Sequence, residues 1–251
     1  VGDDAFGRVI AERLAADGVL PDLIAVEALP TGTAHVAYNT DGSRDFVFNI
    51  AHSAAARLPP PERIIATFRA RGVTLLHISG SALGDPAMRA AIVKVAEGGD
   101  WAVSIDPNIR PELIHDDAYL PTVRRLIANA AYVLPSDADA DILWPGEAFA
   151  TFATTLIAEG ARAVALKRGA RGAIATDGKT TADLPGHNVA VADPTGAGDC
   201  FCATFVAHHH TGAPLASALA QANAAGALAV QSLGPMEGNS TRETIAAFLT
   251  P

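Results

Sequence analysis

Between residues 61 and 167 the chain alternates helix-length stretches with short apolar runs, and no other feature limits its fold as strongly. Helical spacing over 61–71 precedes the run Leu75 to Ser79, and over Asp85 to Glu97 it precedes Trp101 to Ile105. A third helix over about 116–129 leads to Tyr132 to Leu134, and a fourth over 146–159 leads to Ala163 to Lys167. Such repetition predicts a parallel sheet with helices on both faces. Ligands of such sheets bind beyond the carboxyl ends of the strands, so the polar residues at each exit are the candidate functional groups. Upstream, residues 4–17 predict an amphipathic helix stopped by Gly18, and Asp22 to Ala28 a short strand. The alternating runs Thr33 to Asn39 and Asp45 to Ile50 flank Asp41-Gly42, a hairpin signal.

The strongest local signal is Asp193-Pro194-Thr195-Gly196-Ala197-Gly198-Asp199, between an alternating run (Val189 to Ala192) and the apolar helical run Cys200 to Val206. It reads as strand, glycine turn and helix start. Glycines let the backbone turn tightly and approach a ligand. The unpaired N–H groups of the helix start, with the positive end of its dipole, then suit a phosphate or a developing anion. Asp199 has two readings. It caps its helix, or it accepts the proton of a hydroxyl that attacks a phosphoryl group.

The other exits are also polar. Asp106-Pro107-Asn108-Ile109-Arg110 is turn chemistry, and its guanidinium suits a carboxylate or phosphoryl partner. Leu134-Pro135-Ser136-Asp137-Ala138-Asp139 offers Ser136 or Asp137 as a helix N-cap. Lys167-Arg168-Gly169-Ala170-Arg171-Gly172 is a cationic glycine turn. Gly178-Lys179-Thr180 is no phosphate loop, because Ala173 stands where that pattern needs glycine; Asp177-Gly178 predicts a hairpin turn instead. His208-His209-His210 closes a helix, where histidines complement the dipole. Cys200 and Cys202, two apart, do not share a helix face and so cannot chelate a metal together.

Composition narrows the function classes. With 251 residues, 49% hydrophobic content and 18% charge, the chain is globular rather than disordered. A net charge of −9 without a basic run argues against nucleic acid as a partner. No apolar run approaches a membrane span, and the acidic opening Val1-Gly2-Asp3-Asp4 has no basic leader. Two cysteines in one helix make no disulfide framework and suggest a reduced, cytoplasmic protein.

Asp193 to Asp199, with the helix Cys200 to Phe205 behind it, resembles the C-terminal signature of the PfkB (ribokinase-like) sugar kinases. The resemblance implies an α/β fold: a ribokinase-like, doubly wound, mostly parallel sheet with helices on both faces and a small β lid. It implies that Asp199 is the base and that the backbone of Gly196, Ala197 and Gly198 is the anion hole. The 106–110 segment resembles that of fructokinases and 2-keto-3-deoxygluconate kinases, which places Asn108 and Arg110 near the sugar. The hairpin at about 31–50 would be the lid, with Tyr38, Arg44 and Asn49 toward substrate. Lys167, Gly169 and Gly172 would form the nucleotide-side turn, with Asn223 near the adenine. Asp193 and Thr195 match a monovalent-cation (K+) site.

Many members have Asn-x-x-Glu where this chain has Ser136 and Asp139, so Asp139 takes the place of a group that orders a magnesium-bound water. ATP and Mg2+ are the implied cofactors, with a ketose or keto-deoxy sugar acid as acceptor. A nucleoside kinase of the same fold and a non-catalytic sensor are the rival readings. Val1 to Gly7 resembles a point inside such a kinase, so 1–251 reads as a single kinase domain without the family's first strand. The strand edges of the lid suggest a homodimer.

Overall fold

The computed structural model describes the backbone of residues 1–38 and 44–250, and the side chains of all of these except 38 and 44–46. The Asp41-Gly42 turn and the side chains of Tyr38 and Arg44 therefore lie outside the described residues. The chain forms two compact units, one of residues 1–74, 81–101 and 110–122, the other of residues 75–80, 102–109 and 123 onward.

In the first unit, α1 (Ala5–Ala16) begins where Asp4 accepts a bond from the Gly7 N–H and ends before Gly18, whose φ is 79°. The hairpin pairs β1 (Thr33–Tyr38) antiparallel with β2 (Arg44–Asn49). The strand expected at 22–28 does not form. Pro21–Leu23 is a 3-10 turn, and Glu27 makes only a single bridge to Gly2. Proline locks φ and removes a ladder donor, which ends extended pairing there. Helix α2 (Pro61–Arg71) opens on a proline, favoured at the first helical position, and stops at Gly72. Helix α3 (Pro86–Ala96) starts at Asp85, whose carboxylate accepts from Ala87 and Met88 N–H, both at 2.9 Å.

The second unit holds a six-stranded sheet. Strands β3 (Leu75–Ser79), β4 (Ala102–Asp106), β5 (Tyr132–Val133) and β6 (Ala163–Lys167) run parallel. β7 (Ala173–Thr176) and β8 (Thr181–Leu184) extend it antiparallel, in the order β3-β4-β5-β6-β7-β8. The turn between β7 and β8 is built by Asp177, whose Oδ1 accepts from Lys179 and Thr180 N–H at 2.9 and 2.7 Å. Gly178-Lys179-Thr180 is thus a hairpin turn, as its dipeptide predicts.

Helix α4 (Tyr119–Ala128) lies between β4 and β5, and α5 (Asp137–Leu143) and α6 (Phe149–Ala158) between β5 and β6; α7 (Ala197–His210), α8 (Leu215–Ala229) and α9 (Arg242–Leu249) follow β8. α5 starts at the N-cap the sequence offered at Ser136, though its extent was not legible, and the helix expected from 146 begins at Phe149.

Along β6 the side chains alternate. Ala163 and Ala165 join Phe201, Phe205, Leu215 and Leu219 of α7 and α8, while Val164 is fully buried on the opposite face. Both faces are covered, which is why β6 reads as a continuous apolar run. Phe205 has no exposed surface and anchors this cluster. Truncating it leaves a cavity that the neighbouring alanines cannot fill, so Phe205→Ala should cost about 3–5 kcal/mol. Urea unfolding would show this as a lower midpoint at unchanged slope.

Candidate active site

The turn before α7 is built by its own side chains. Asp193 is buried, and its Oδ1 accepts from the N–H and hydroxyl of Thr195 at 2.9 and 2.7 Å. Its Oδ2 accepts from Gly234 N–H at 3.1 Å, which ties the turn to the loop after α8. Gly196 then takes the left-handed conformation (φ 84°), and a Cβ there would lie 2.3 Å from the Pro235 carbonyl oxygen. Only glycine fits both demands.

The Cys200 N–H closes the first helical bond, on Gly196 O at 2.9 Å. Ahead of it, the N–H groups of Gly198 and Asp199 have no partner among the described residues. These donors stand at the positive end of a 14-residue helix, an arrangement suited to an anion. Asp199 sits on the same turn with an exposed carboxylate that makes no hydrogen bond or ion pair among the described residues. An open carboxylate and two unpartnered N–H donors are thereby brought together within one helical turn.

Asn108 belongs to the same unit. It has a positive φ of 37°, unlike every other non-glycine among the described residues, and such backbone costs energy outside glycine. Three bonds hold it there. Its N–H donates to Asp106 Oδ1 at 3.2 Å, its Nδ2 to Ser79 Oγ at 3.0 Å, and the next N–H, of Ile109, to Asp139 Oδ1 at 2.8 Å. Gly80 lets the segment in: a Cβ there would lie 1.9 Å from Pro107 O.

Asp139 is buried at the third position of α5 in a capping box with Ser136. Its Oδ2 accepts from the Ser136 N–H (2.8 Å) and hydroxyl (2.6 Å). Its carboxylate thus braces α5 against the Asn108 segment. Arg110, exposed, falls in the other compact unit.

Lys167, read from the sequence as part of the nucleotide-side turn, is engaged within the protein. Its side chain is 13% exposed and pairs with the buried Asp106 carboxylate, and its Nζ lies 3.4 Å from Cys202 Sγ. Burial works against the ammonium, and the charge and hydrogen bond of the Asp106 carboxylate favour it. Burial pushes the Cys202 thiol up, so it stays protonated and donates to Asp106 Oδ2 at 3.4 Å. Nearby, His77 Nδ1 lies 3.0 Å from Ser104 Oγ, and burial lowers its pKa.

Neither partner of the buried ion pair was paired by sequence reasoning. The available signal was that β4 and β6, apolar runs, each end on a charged residue.

Gly169 and Gly172 bracket a 3-10 turn with φ of 57° and 87°, while Arg168 turns to Asp183. Asn223 donates to Pro185 O at 3.3 Å and ties α8 to the loop after β8. His209 stacks on Phe205 at 5.8 Å, so this histidine is packed into the sheet side of α7. In the first unit, Asp4, Thr31, Thr33, Asn49 and His52 line a cleft of about 710 Å³ at the base of the hairpin. Hydrogen bonds from Thr31 and Gly7 hold the Asp4 carboxyl down at about 2.

Among the described residues no three His, Cys, Asp or Glu side chains converge on a metal position. Asp106 is paired with Lys167, and Asp139 is engaged by Ile109 and Ser136. This donor set fits a magnesium carried by nucleotide phosphates, with Asp199 the open carboxylate, and not a protein-caged ion. Both oxygens of Asp193 are engaged by protein donors, which fits a bracing role in the turn. Among the described residues no helix is long and apolar enough to cross a membrane.

The model of the pfkB family carbohydrate kinases matches residues 1–242. A 2-dehydro-3-deoxygluconokinase of Bacillus subtilis (strain 168) is 30% identical over 261 aligned residues, covering 100% of this chain and 79% of that protein. A second one, of Thermoproteus tenax, is 33% identical over 94% of this chain and 74% of its own length. Among solved structures, an E. coli protein described as a ribokinase II in complex with ATP and Mg2+ superposes with a TM-score of 0.82. It is 33% identical, over 99% of this chain and 80% of that one.

Proposed function

This chain belongs to the pfkB family of carbohydrate kinases, and on that premise we propose that it transfers the γ-phosphoryl group of ATP to a hydroxyl of a keto-deoxy sugar acid or ketose. The observation that carries the reading is the open carboxylate of Asp199 on the same turn as the unpartnered N–H groups of Gly198 and Asp199.

In the reaction the acceptor hydroxyl gives its proton to Asp199 as its oxygen bonds to the γ-phosphorus. The bond from that phosphorus to the bridging oxygen breaks, and ADP leaves. Negative charge on the transferring group is met by the N–H groups of Gly198 and Asp199 and the positive end of α7, while the Ala197 N–H is spent on Pro194 O. Magnesium, borne by the nucleotide phosphates, supplies charge neutralisation when bound. Asp193 and Thr195 keep the turn in shape, and Asp139 and Asn108 keep the β4 exit in shape.

We read 1–251 as one ribokinase-like kinase domain with the hairpin β1-β2 as its lid. Asn108, Arg110, Tyr38 and Arg44 are assigned to the acceptor. Two guanidiniums among them suit an acid better than a neutral sugar, and both curated relatives described above are kinases of a keto-deoxy acid. Gly169, Gly172 and Asn223 are assigned to the nucleotide. The free thiols of Cys200 and Cys202 support a reducing compartment such as the cytoplasm.

The test is ADP release from ATP and Mg2+ with 2-keto-3-deoxygluconate, fructose, tagatose, ribose or adenosine as acceptor. Turnover is expected to be fastest with the keto-deoxy acid. Preference for adenosine would make the chain a nucleoside kinase, and ATP binding without turnover on any acceptor would make it a sensor.

A further inference from the structure

The ion pair of Lys167 and Asp106 is used by no step above, although two charges withdrawn from water are costly and an apolar pair of similar size is often no less stable. β5 lies between β4 and β6, so the pair reaches across a strand. β5 is short enough to allow this, since it ends at Val133.

The orientation of the pair is specific. Lys167 Nζ lies 3.7 Å from the place a Cβ would occupy at Gly198, and no atom of Asp106 comes within 4 Å of that place. The ammonium therefore faces the first turn of α7, while Asp106 Oδ1 is turned to the Asn108 N–H. Cys202, four residues beyond Gly198 and on the same helix face, touches both partners at 3.4 Å and fixes them. Asp139 and His77 are the other titratable groups that share an electrostatic interaction with Lys167.

We propose that Lys167 is a positioning residue whose ammonium, held against Gly198 by Asp106 and Cys202, strengthens the hold of the 196–198 turn on the transferring phosphoryl group. The role rests on the kinase reading. The ammonium acts through the turn and touches no substrate atom. A cation fixed in advance beneath an anion hole adds to the helix-terminal charge at no reorganisation cost. It favours states in which negative charge grows at the turn over the bound ground state. Its loss should therefore appear in kcat and not in the KM for ATP.

The test compares wild type with the neutral pair Lys167→Met/Asp106→Asn, which leaves no unpaired buried charge, and with Lys167→Arg, which keeps the charge. The neutral pair is expected to lower kcat about tenfold to a hundredfold with the KM for ATP within about twofold. Its affinity for ADP should stay the same, while its affinity for ADP with aluminium fluoride, a mimic of the transferring group, should fall by the same factor as kcat. Lys167→Arg should recover most of both.

Three results overturn the proposal: an unchanged kcat in the folded neutral pair, parallel losses for ADP with and without aluminium fluoride, or a Lys167→Arg enzyme as slow as the neutral pair. Wild-type turnover is the control for the underlying reading. A wild type silent on every acceptor sinks both, whereas an active wild type with an indifferent neutral pair sinks only the role of Lys167.

Discussion

Asp199→Asn is expected to lower kcat by about 10²- to 10⁴-fold, the range associated with a positioned general base, and to leave ATP affinity near the wild-type value. The substitution keeps the shape and the helix position of the side chain. It removes only the ability to accept a proton. Because Asp199 is exposed and makes no bond to the rest of the protein among the described residues, the melting temperature should hardly move. Steady-state kinetics with the best acceptor, paired with calorimetric titration of ATP, separates the two effects. If Asp199 only capped α7, the amide would cap nearly as well and kcat would be unchanged. A wild-type rate in this variant would remove Asp199 from the base role.

That residue was legible in the sequence for a physical reason. Asp193 and Thr195 bond each other two residues apart and Gly196 turns the backbone, so the geometry of the turn that presents Asp199 is encoded locally. The same holds for the β7-β8 turn at Asp177-Gly178. The alternation of elements revealed the parallel strands because burial on both faces leaves continuous apolar runs.

What stayed hidden depends on strand order. Asp106 and Lys167 are 61 positions apart, and they meet only because β5 lies between their strands and ends early. Spacing carries no trace of that. Asp139 shows a subtler limit. Sequence offered it as a metal-side carboxylate and offered Ser136 as a cap, but the capping box uses both residues together and spends the second carboxylate oxygen on Ile109, 30 positions away. The failed strand at 22–28 had a local cause that was visible: Pro21 opens it.

Gly196→Ala is expected to damage both stability and turnover, and the comparison with Gly198→Ala shows why. At 196 an L-residue would have to hold φ near 84°, which costs about 1–2 kcal/mol. Its Cβ would also press on Pro235 O at 2.3 Å. Neither side can give easily, because the Asp193 carboxylate binds Gly234 N–H at 3.1 Å and holds that loop against the turn. Relief must come from the turn itself, which carries the N–H groups of Gly198 and Asp199 away from the transferring group. The loss in kcat should then match that of a missing oxyanion-hole donor, about 10²- to 10³-fold, together with a lower melting temperature. At 198 a Cβ meets only Lys167 Nζ at 3.7 Å, an ordinary contact, and alanine favours the helix, so Gly198→Ala should melt at or above the wild-type temperature. Differential scanning fluorimetry and ADP-release kinetics on the two variants would decide the matter. A Gly196→Ala enzyme that melts lower yet turns over at the wild-type rate would mean that the phosphoryl group is held elsewhere, because a displaced turn cannot keep its donors on a group only a few ångströms across.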